Sequence, residues 1–207
     1  MSSITACCLA KDEEQFIQQY IKGLPGLDRI LVINDHSSDG TVELALEIGA
    51  QVVDLPFHIK DEGFARAANW ALAQVRTSWA LFLDADELMP EVSQLPVLTR
   101  YPEVDLWGLP RRKWLDFSKG VRTEYWSYPD WQPKFIRVGS GVSFEGEMHV
   151  KVIGRQIHHS YRGPHIEHLQ VECRTPEKLS HRRGLYKHLA SIQNVSIIGG
   201  DTLPNES

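Results

Sequence analysis

SWALFLDADELM, residues 78–89, sets an apolar run from Trp79 to Leu83 directly against three acids in four positions, Asp84, Asp86 and Glu87. A short continuous apolar run reads as a strand buried on both faces, as in a parallel sheet covered by helices. Acids at the end of such a strand fall where open α/β sheets bind ligands, beyond the carboxyl ends of the strands. With the backbone extended through Ala85, Asp84 and Asp86 project to one side, because strand side chains alternate. Two carboxylates so close resist joint ionisation unless a cation lies beside them. Hard oxygen ligands of this kind suit Mg²⁺ or Mn²⁺.

Working outward, the preceding residues alternate between strand and helix. Residues 4–9 read as a strand, and 12–22 as a helix with Phe16, Ile17, Tyr20 and Ile21 on one stripe. Arg29–Asn34 and Gln51–Asp54 are two further strands, separated by a helix over 41–48 that stops at Gly49. Residues 62–75 form a third helical pattern, with Phe64, Ala67, Ala68, Ala71, Leu72 and Val75 on its apolar side. Strand–helix–strand repeated three times predicts a mostly parallel, Rossmann-like sheet flanked by helices. Past residue 100 the chain becomes aromatic-rich, with short strands expected at 104–109, 134–138 and 150–153 and a basic helical pattern at about 175–195.

The chain has 207 residues, 42% hydrophobic and 24% charged, enough for one domain with a full core. A net charge of −5 argues against general attraction to nucleic acid or anionic lipid. Three cysteines, Cys7, Cys8 and Cys173, make no disulfide framework; Cys7 and Cys8 belong on opposite faces of one strand. With no charged and apolar leader pattern and no run of about 18–20 apolar residues, the expected compartment is the cytoplasm.

A second acidic loop, NDHSSDGT at residues 34–41, follows the second strand. Asp39 in it suits the cap of the next helix. The order of motifs is then CLAKDE at 8–13, NDHSSDGT at 34–41, GFARAAN at 63–69 and LDADE at 83–87. Further on come YPDWQPKFIR at 128–137 and GEMH at 146–149. Together, over about residues 3–170, they resemble the family 2 glycosyltransferases of the GT-A fold, and within them the branch that builds lipopolysaccharide core.

The resemblance implies a single GT-A domain over 1–200: a nucleotide-sugar half at 1–100, an acceptor half at 101–170, and a helical segment at 171–200, with a tail at 201–207. It gives Asp35 the nucleobase and Asp84 the ribose. Ala10, Glu13 and Arg66 join them as donor-binding residues. Asp86 would ligate Mn²⁺ or Mg²⁺, completed by His168, with His165 as the fallback. The implied reaction inverts the anomeric carbon, and a base must take the acceptor proton. The branch's late His-Glu pair is His149-Val150 here, which leaves Asp130, Glu145 and Glu147. Asp130 and Glu147 are the catalytic candidates, Asp130 because its aromatic loop is expected to raise its pKa by desolvation. The expected donor is a UDP-sugar, and the acceptor a glycan, a lipid-linked glycan or another hydroxyl compound; nucleic acid is the least expected.

The residues leave other readings open. Four histidines in HHSYRGPHIEH, His158, His159, His165 and His168, make a zinc site conceivable. Residues 106–120, LWGLPRRKWLDFSKG, could serve as a sugar-stacking segment, a phosphate contact through Arg111, Arg112 and Lys113, or a lid. A nucleotidyltransferase is disfavoured, since no glycine follows the first strand until Gly23. A metal-dependent sugar-nucleotide hydrolase, or a non-catalytic nucleotide- or carbohydrate-binding module, remains the alternative.

Overall fold

A computed structural model describes residues 2–116, 121–122, 128–146, 150–169 and 184. The first half alternates as its periodicity predicts: β1 (Ile4–Ala10), α1 (Glu14–Lys22), β2 (Arg29–Asn34), α2 (Thr41–Glu47) and β3 (Gln51–Asp54). The expected helix over 62–75 is two helices, α3 (Ile59–Glu62) and α4 (Phe64–Gln74). They break at Gly63, whose φ of 80° and ψ of 161° put it in a region open essentially to glycine alone. β4 (Trp79–Phe82) follows, then β5 (Glu87–Leu88), a 3₁₀ turn (Val92–Gln94) and α5 (Leu95–Leu98).

The second half is nearly all strand: β6 (Leu106–Asp116), β7 (Val121–Arg122), β8 (Asp130–Arg137), β9 (Ser143–Glu145), β10 (Lys151–Ile153), β11 (His158–His159) and β12 (Ile166–Leu169). The short strand expected at 104–109 is therefore an eleven-residue strand at the heart of the sheet. This corrects the lid reading for residues 106–116; residues 117–120 lie outside the described residues. The basic helix expected at 175–195 and Cys173 also lie outside them.

The main sheet runs β3-β2-β1-β4-β8-β6-β12-β5, with β7 and β11 each paired to β6. Its first four strands are parallel, whereas β8 is antiparallel to both β4 and β6. β9 and β10 form a separate hairpin. Side chains of β1 alternate between two cores. Ile4, Ala6, Cys8 and Ala10 pack with Phe16, Ile17, Tyr20 and Ile21 of α1. Cys7 packs on the other face with Ala67, Ala68 and Ala71 of α4. Both cysteines are therefore core residues as expected, and burial pushes the Cys7 thiol up to about 12. The amide of Asn69 on α4 accepts from Phe144 N–H at 2.9 Å and donates to Phe144 C=O at 2.8 Å, fastening β9 to that helix.

Candidate active site

The strand ends at Phe82, and the acids follow on a turn. Glu87 N–H donates to Asp84 C=O at 2.9 Å, so the backbone is not extended through Ala85 as the sequence suggested. The turn separates the three carboxylates by depth. The Asp84 side chain is 64% exposed, Asp86 is 2% exposed and Glu87 is fully buried.

Glu87 is the hub. One carboxylate oxygen accepts from Asp84 N–H at 3.0 Å and from Lys134 Nζ; the other takes Arg111 Nη1 at 3.1 Å. Lys134 also reaches Asp84 at 3.2 Å, and Arg111 donates through Nε and Nη2 to Asp130 at 2.9 and 2.7 Å. The result is a continuous line of alternating charge, Asp84–Lys134–Glu87–Arg111–Asp130, crossing from the DADE turn to β8. Crowding by protein atoms pushes the Asp84 pKa up, and the neighbouring Asp86 adds to this, but Lys134, His168 and Arg111 together outweigh both and hold it below the usual carboxylate value. Burial pulls the Lys134 pKa down, and Asp84 and Glu87 raise it by more, so the ammonium stays charged.

β12 lies between β5 and β6, with His168 opposite Glu87 on one side and Lys113 on the other. Leu169 N–H donates to Asp86 C=O at 2.8 Å, which holds the turn against this strand. His168 Nε2 thereby comes to 3.4 Å from Asp86 Oδ2. Its other ring nitrogen, Nδ1, is buried without a hydrogen-bond partner among the described residues. An oxygen donor and an imidazole nitrogen that converge across separate strands fit a divalent cation.

Asp130 departs from expectation. It starts β8 rather than sitting in a loop, and its pKa is lowered rather than raised. Burial does push it up, but Arg111, Lys113 at 3.4 Å and the Gln132 amide together outweigh burial. Trp131 points to the opposite sheet face, where it stacks on His159 at 4.4 Å between centroids. Glu145 is exposed on β9, and Glu147 lies outside the described residues.

At the same carboxyl end of the parallel strands, on the far side of β1, Asp35 N–H donates to Ala10 C=O at 2.8 Å, and Asp35 Oδ1 accepts from Ile59 N–H at 3.2 Å. Burial raises the Asp35 pKa, only partly countered by that hydrogen bond and by Lys11, His58 and His36. Glu13 N–H donates to Thr41 Oγ1 at 2.7 Å, and Asp39 caps as expected, accepting from Thr41 N–H at 3.0 Å and Glu14 N–H at 3.1 Å. Arg66 on α4 is 58% exposed, paired with Glu62 at the end of α3 and laid over the Phe57 ring at 4.8 Å.

The four histidines of residues 158–168 do not assemble. His158 packs on Trp107, His159 on Trp131, His165 between Glu91 and Glu167, and His168 beside Asp86. Sequence reasoning missed Glu87 and Lys134 as site residues, and the pairing of Arg111. The signal was present in the third acid of DADE and in the single lysine of QPKF; what it lacked was the strand register that brings them together.

Residues 5–105 match the family model described as glycosyl transferase family 2. An uncharacterized glycosyltransferase of Rickettsia typhi is 30% identical over 95 residues, 45% of this chain and 30% of that protein. A TPR repeat-containing protein of Synechococcus elongatus is 28% identical over 88 residues, 42% of this chain and 21% of that protein. The matching segment thus spans less than a third of either relative. Among solved structures, S. aureus TarS in complex with UDP-GlcNAc superposes with a TM-score of 0.62 at 15% identity, covering 94% of this chain and 68% of that one. The fold is GT-A. On this GT-A sheet the DADE turn and the NDHSSDGT loop occupy the carboxyl ends of β4 and β2, on either side of β1. No helix among the described residues is long and apolar enough to cross a membrane.

Proposed function

We propose that this chain is a glycosyltransferase that moves a sugar from a nucleoside diphosphate donor to a hydroxyl acceptor with inversion. The observation that carries the reading is the pairing of Asp86 with His168 on a GT-A sheet, beside a charged line that ends at Asp130. The family match over residues 5–105 supports it. Asp86 and His168 would hold Mn²⁺ or Mg²⁺, with Asp84 toward the ribose. A bound divalent ion would neutralise the charge that develops on the departing diphosphate.

The chain's own residues do the rest. Asp35 accepts from a nucleobase N–H, since its second oxygen is not the one bonded to Ile59. Ala10 fixes the Asp35 backbone, Glu13 braces the adjoining loop, and Arg66 stands ready to trade Glu62 for a donor phosphate. Glu87 keeps Lys134 and Arg111 in place, so the carboxylates on either side of it are held before substrate arrives. Asp130 is ionised at neutral pH and can take the acceptor proton without first losing one; Glu147 is the second candidate. UDP is the first nucleotide to try, because TarS was crystallised with UDP-GlcNAc.

The cations on Asp130 favour a second reading, a module that binds sugar nucleotides without transferring well, because they weaken it as a base. A thermal-shift panel of UDP, GDP and UDP-sugars with and without Mn²⁺, on wild type and Asp86→Asn, tests the primary claim. Stabilisation by one nucleotide that needs Mn²⁺ and is lost in the variant supports it. A folded protein that no nucleotide stabilises overturns it. Product analysis with mixed glycan acceptors then separates transfer from hydrolysis and from binding alone.

A further inference from the structure

The carboxyl end of β2 carries a second cluster with metal-binding character, and its donor chemistry differs from that of Asp86 and His168. Asp35, His36 and His58 each offer one ligand atom, and the three atoms lie within 4.8 Å of one another. His58 Nδ1 is 3.7 Å from Asp35 Oδ1, and the two imidazole rings lie 4.1 Å apart between centroids. Around a tetrahedral ion with bonds of about 2.0–2.1 Å, neighbouring ligand atoms stand roughly 3.3–3.5 Å apart. The observed spacings need only small side-chain rotations to reach that value.

The backbone that carries these ligands is braced. His36 adopts a left-handed φ of 53°, and Lys11 Nζ donates to its carbonyl. Ser37 N–H donates to Asn34 Oδ1 at 2.9 Å, and Asn34 in turn donates to Asp54 at 2.7 Å. His58 stands just before α3, and the Ile59 N–H beside it holds Asp35. Such outer contacts fix the approach of the ligating side chains. The Asp35 side chain is 10% exposed and His58 is 44% exposed, so one ligand is anchored while the site stays open to solvent.

We infer that Asp35, His36 and His58 form a binding site for Zn²⁺, with a fourth position left to water. Two imidazoles and one carboxylate select a borderline ion such as Zn²⁺ over Mg²⁺ or Ca²⁺, which prefer all-oxygen shells. The chain therefore carries two cation sites of different taste at opposite ends of its ligand-binding edge. A consequence that rests on the proposed donor site is that Zn²⁺ competes with the nucleotide, because it occupies the carboxylate assigned to the nucleobase.

Isothermal titration of Zn²⁺ into the untagged full chain, stripped with chelator and free of nucleotide, reads the site directly. Wild type and His168→Ala are expected to bind Zn²⁺ alike, while His58→Ala and Asp35→Asn bind it about tenfold or more weakly, each having lost one of three ligands. Millimolar Mg²⁺ should leave the wild-type isotherm unchanged. Equal Zn²⁺ affinity in His58→Ala and wild type, with both folded by circular dichroism, overturns the inference, as does the absence of Zn²⁺ binding in wild type. UDP binding in Mn²⁺ is then measured with and without saturating Zn²⁺. Weakening in wild type but not in His58→Ala supports competition. Zn²⁺ binding with the expected variant pattern but no effect on UDP overturns the nucleobase assignment of Asp35 and leaves the metal site standing.

Discussion

Two buried glutamates lie on opposite faces of the sheet, each neutralised by one of two adjacent arginines on β6. Glu87 takes Arg111 and Lys134 on the face that holds Asp84, Asp130 and His168. Glu167 takes Arg112 at 3.5 Å and His165 at 2.6 Å on the other face, together with the indole N–H of Trp114. The chemistry is alike but the connections differ. From Glu87 the ion pairs continue outward to two further carboxylates, one of them largely exposed. From Glu167 they run through His165 to Glu91, 2.8 Å from Nδ1, and through Arg112 to the Tyr128 ring, with no link to the DADE turn among the described residues. The same alternation that puts consecutive arginines on opposite faces thus places one ionic centre in the proposed site and leaves the other as a brace.

Removing Glu87 should have the largest effect. Glu87→Ala leaves Lys134 and Arg111 buried without their shared partner, a loss of roughly 3–5 kcal/mol in urea unfolding. Glu167→Gln keeps the shape and one acceptor, so its cost should be nearer 1.5–3 kcal/mol, the range for a hydrogen bond to a charged group. If the two faces do differ in role, Lys134→Met should cut nucleotide-dependent stabilisation while Arg112→Met spares it. Equal losses in both would dissolve the distinction between site and brace.

These centres also show where sequence reading stops. The parallel half was legible because each strand is a short apolar run and each helix a stripe such as Phe16, Ile17, Tyr20 and Ile21, so local period alone assigns the element. The placement of Asp35, Asp84 and Asp86 just past the carboxyl ends of β2 and β4 was legible, because each acid follows a short apolar run. Only the first part of β6 was, as the strand expected at 104–109, because Pro110, Arg111, Arg112 and Lys113 break its apolar pattern; the rest of its strand character comes from pairing with β8 and β12, which no local window contains. The same blindness hid Arg111 from Asp130 and so gave Asp130 the wrong direction of pKa shift. An aromatic neighbourhood in sequence was no guide, since Trp131 faces away from it.

Acid should separate the charged groups by the sign of their shifts. Asp130 and Glu167 both have lowered folded pKa values, Asp130 with burial overcome chiefly by Arg111, Glu167 with burial overcome chiefly by the His165 hydrogen bond. The unfolded chain then binds more protons, so their stabilisation is complete above the ordinary carboxylate range of about 4 and is lost as pH falls through the folded values. Asp35, raised by burial, works the other way: its contribution falls as pH climbs from the unfolded value through the folded one. Stability measured against pH should therefore fall less steeply in acid for Glu167→Gln than for wild type, and lose its Asp35 component in Asp35→Asn. A Glu167→Gln curve parallel to wild type would mean that the His165 contact does not hold the charge.

The smallest effect belongs to a third arginine–carboxylate pair, and it supplies the exposed standard for the other two. Arg66 and Glu62 pair across the α3–α4 break at 58% and 39% exposure, where solvent screens the charge and holding two long side chains costs entropy. Such a pair contributes about 0.3–0.5 kcal/mol, so Arg66→Ala should move the unfolding midpoint only slightly, with part of that shift coming from lost packing on Phe57. This near-neutrality is what makes the residue informative. A group so lightly held in the folded protein can leave Glu62 for a donor phosphate at little cost. Arg66→Ala should then weaken UDP-sugar binding several-fold while leaving stability almost untouched, a combination that neither Glu87→Ala nor Glu167→Gln can produce. Unchanged nucleotide affinity in Arg66→Ala would make it a surface pair and nothing more, and the donor phosphates would have to be met by Lys134 and the bound cation without it.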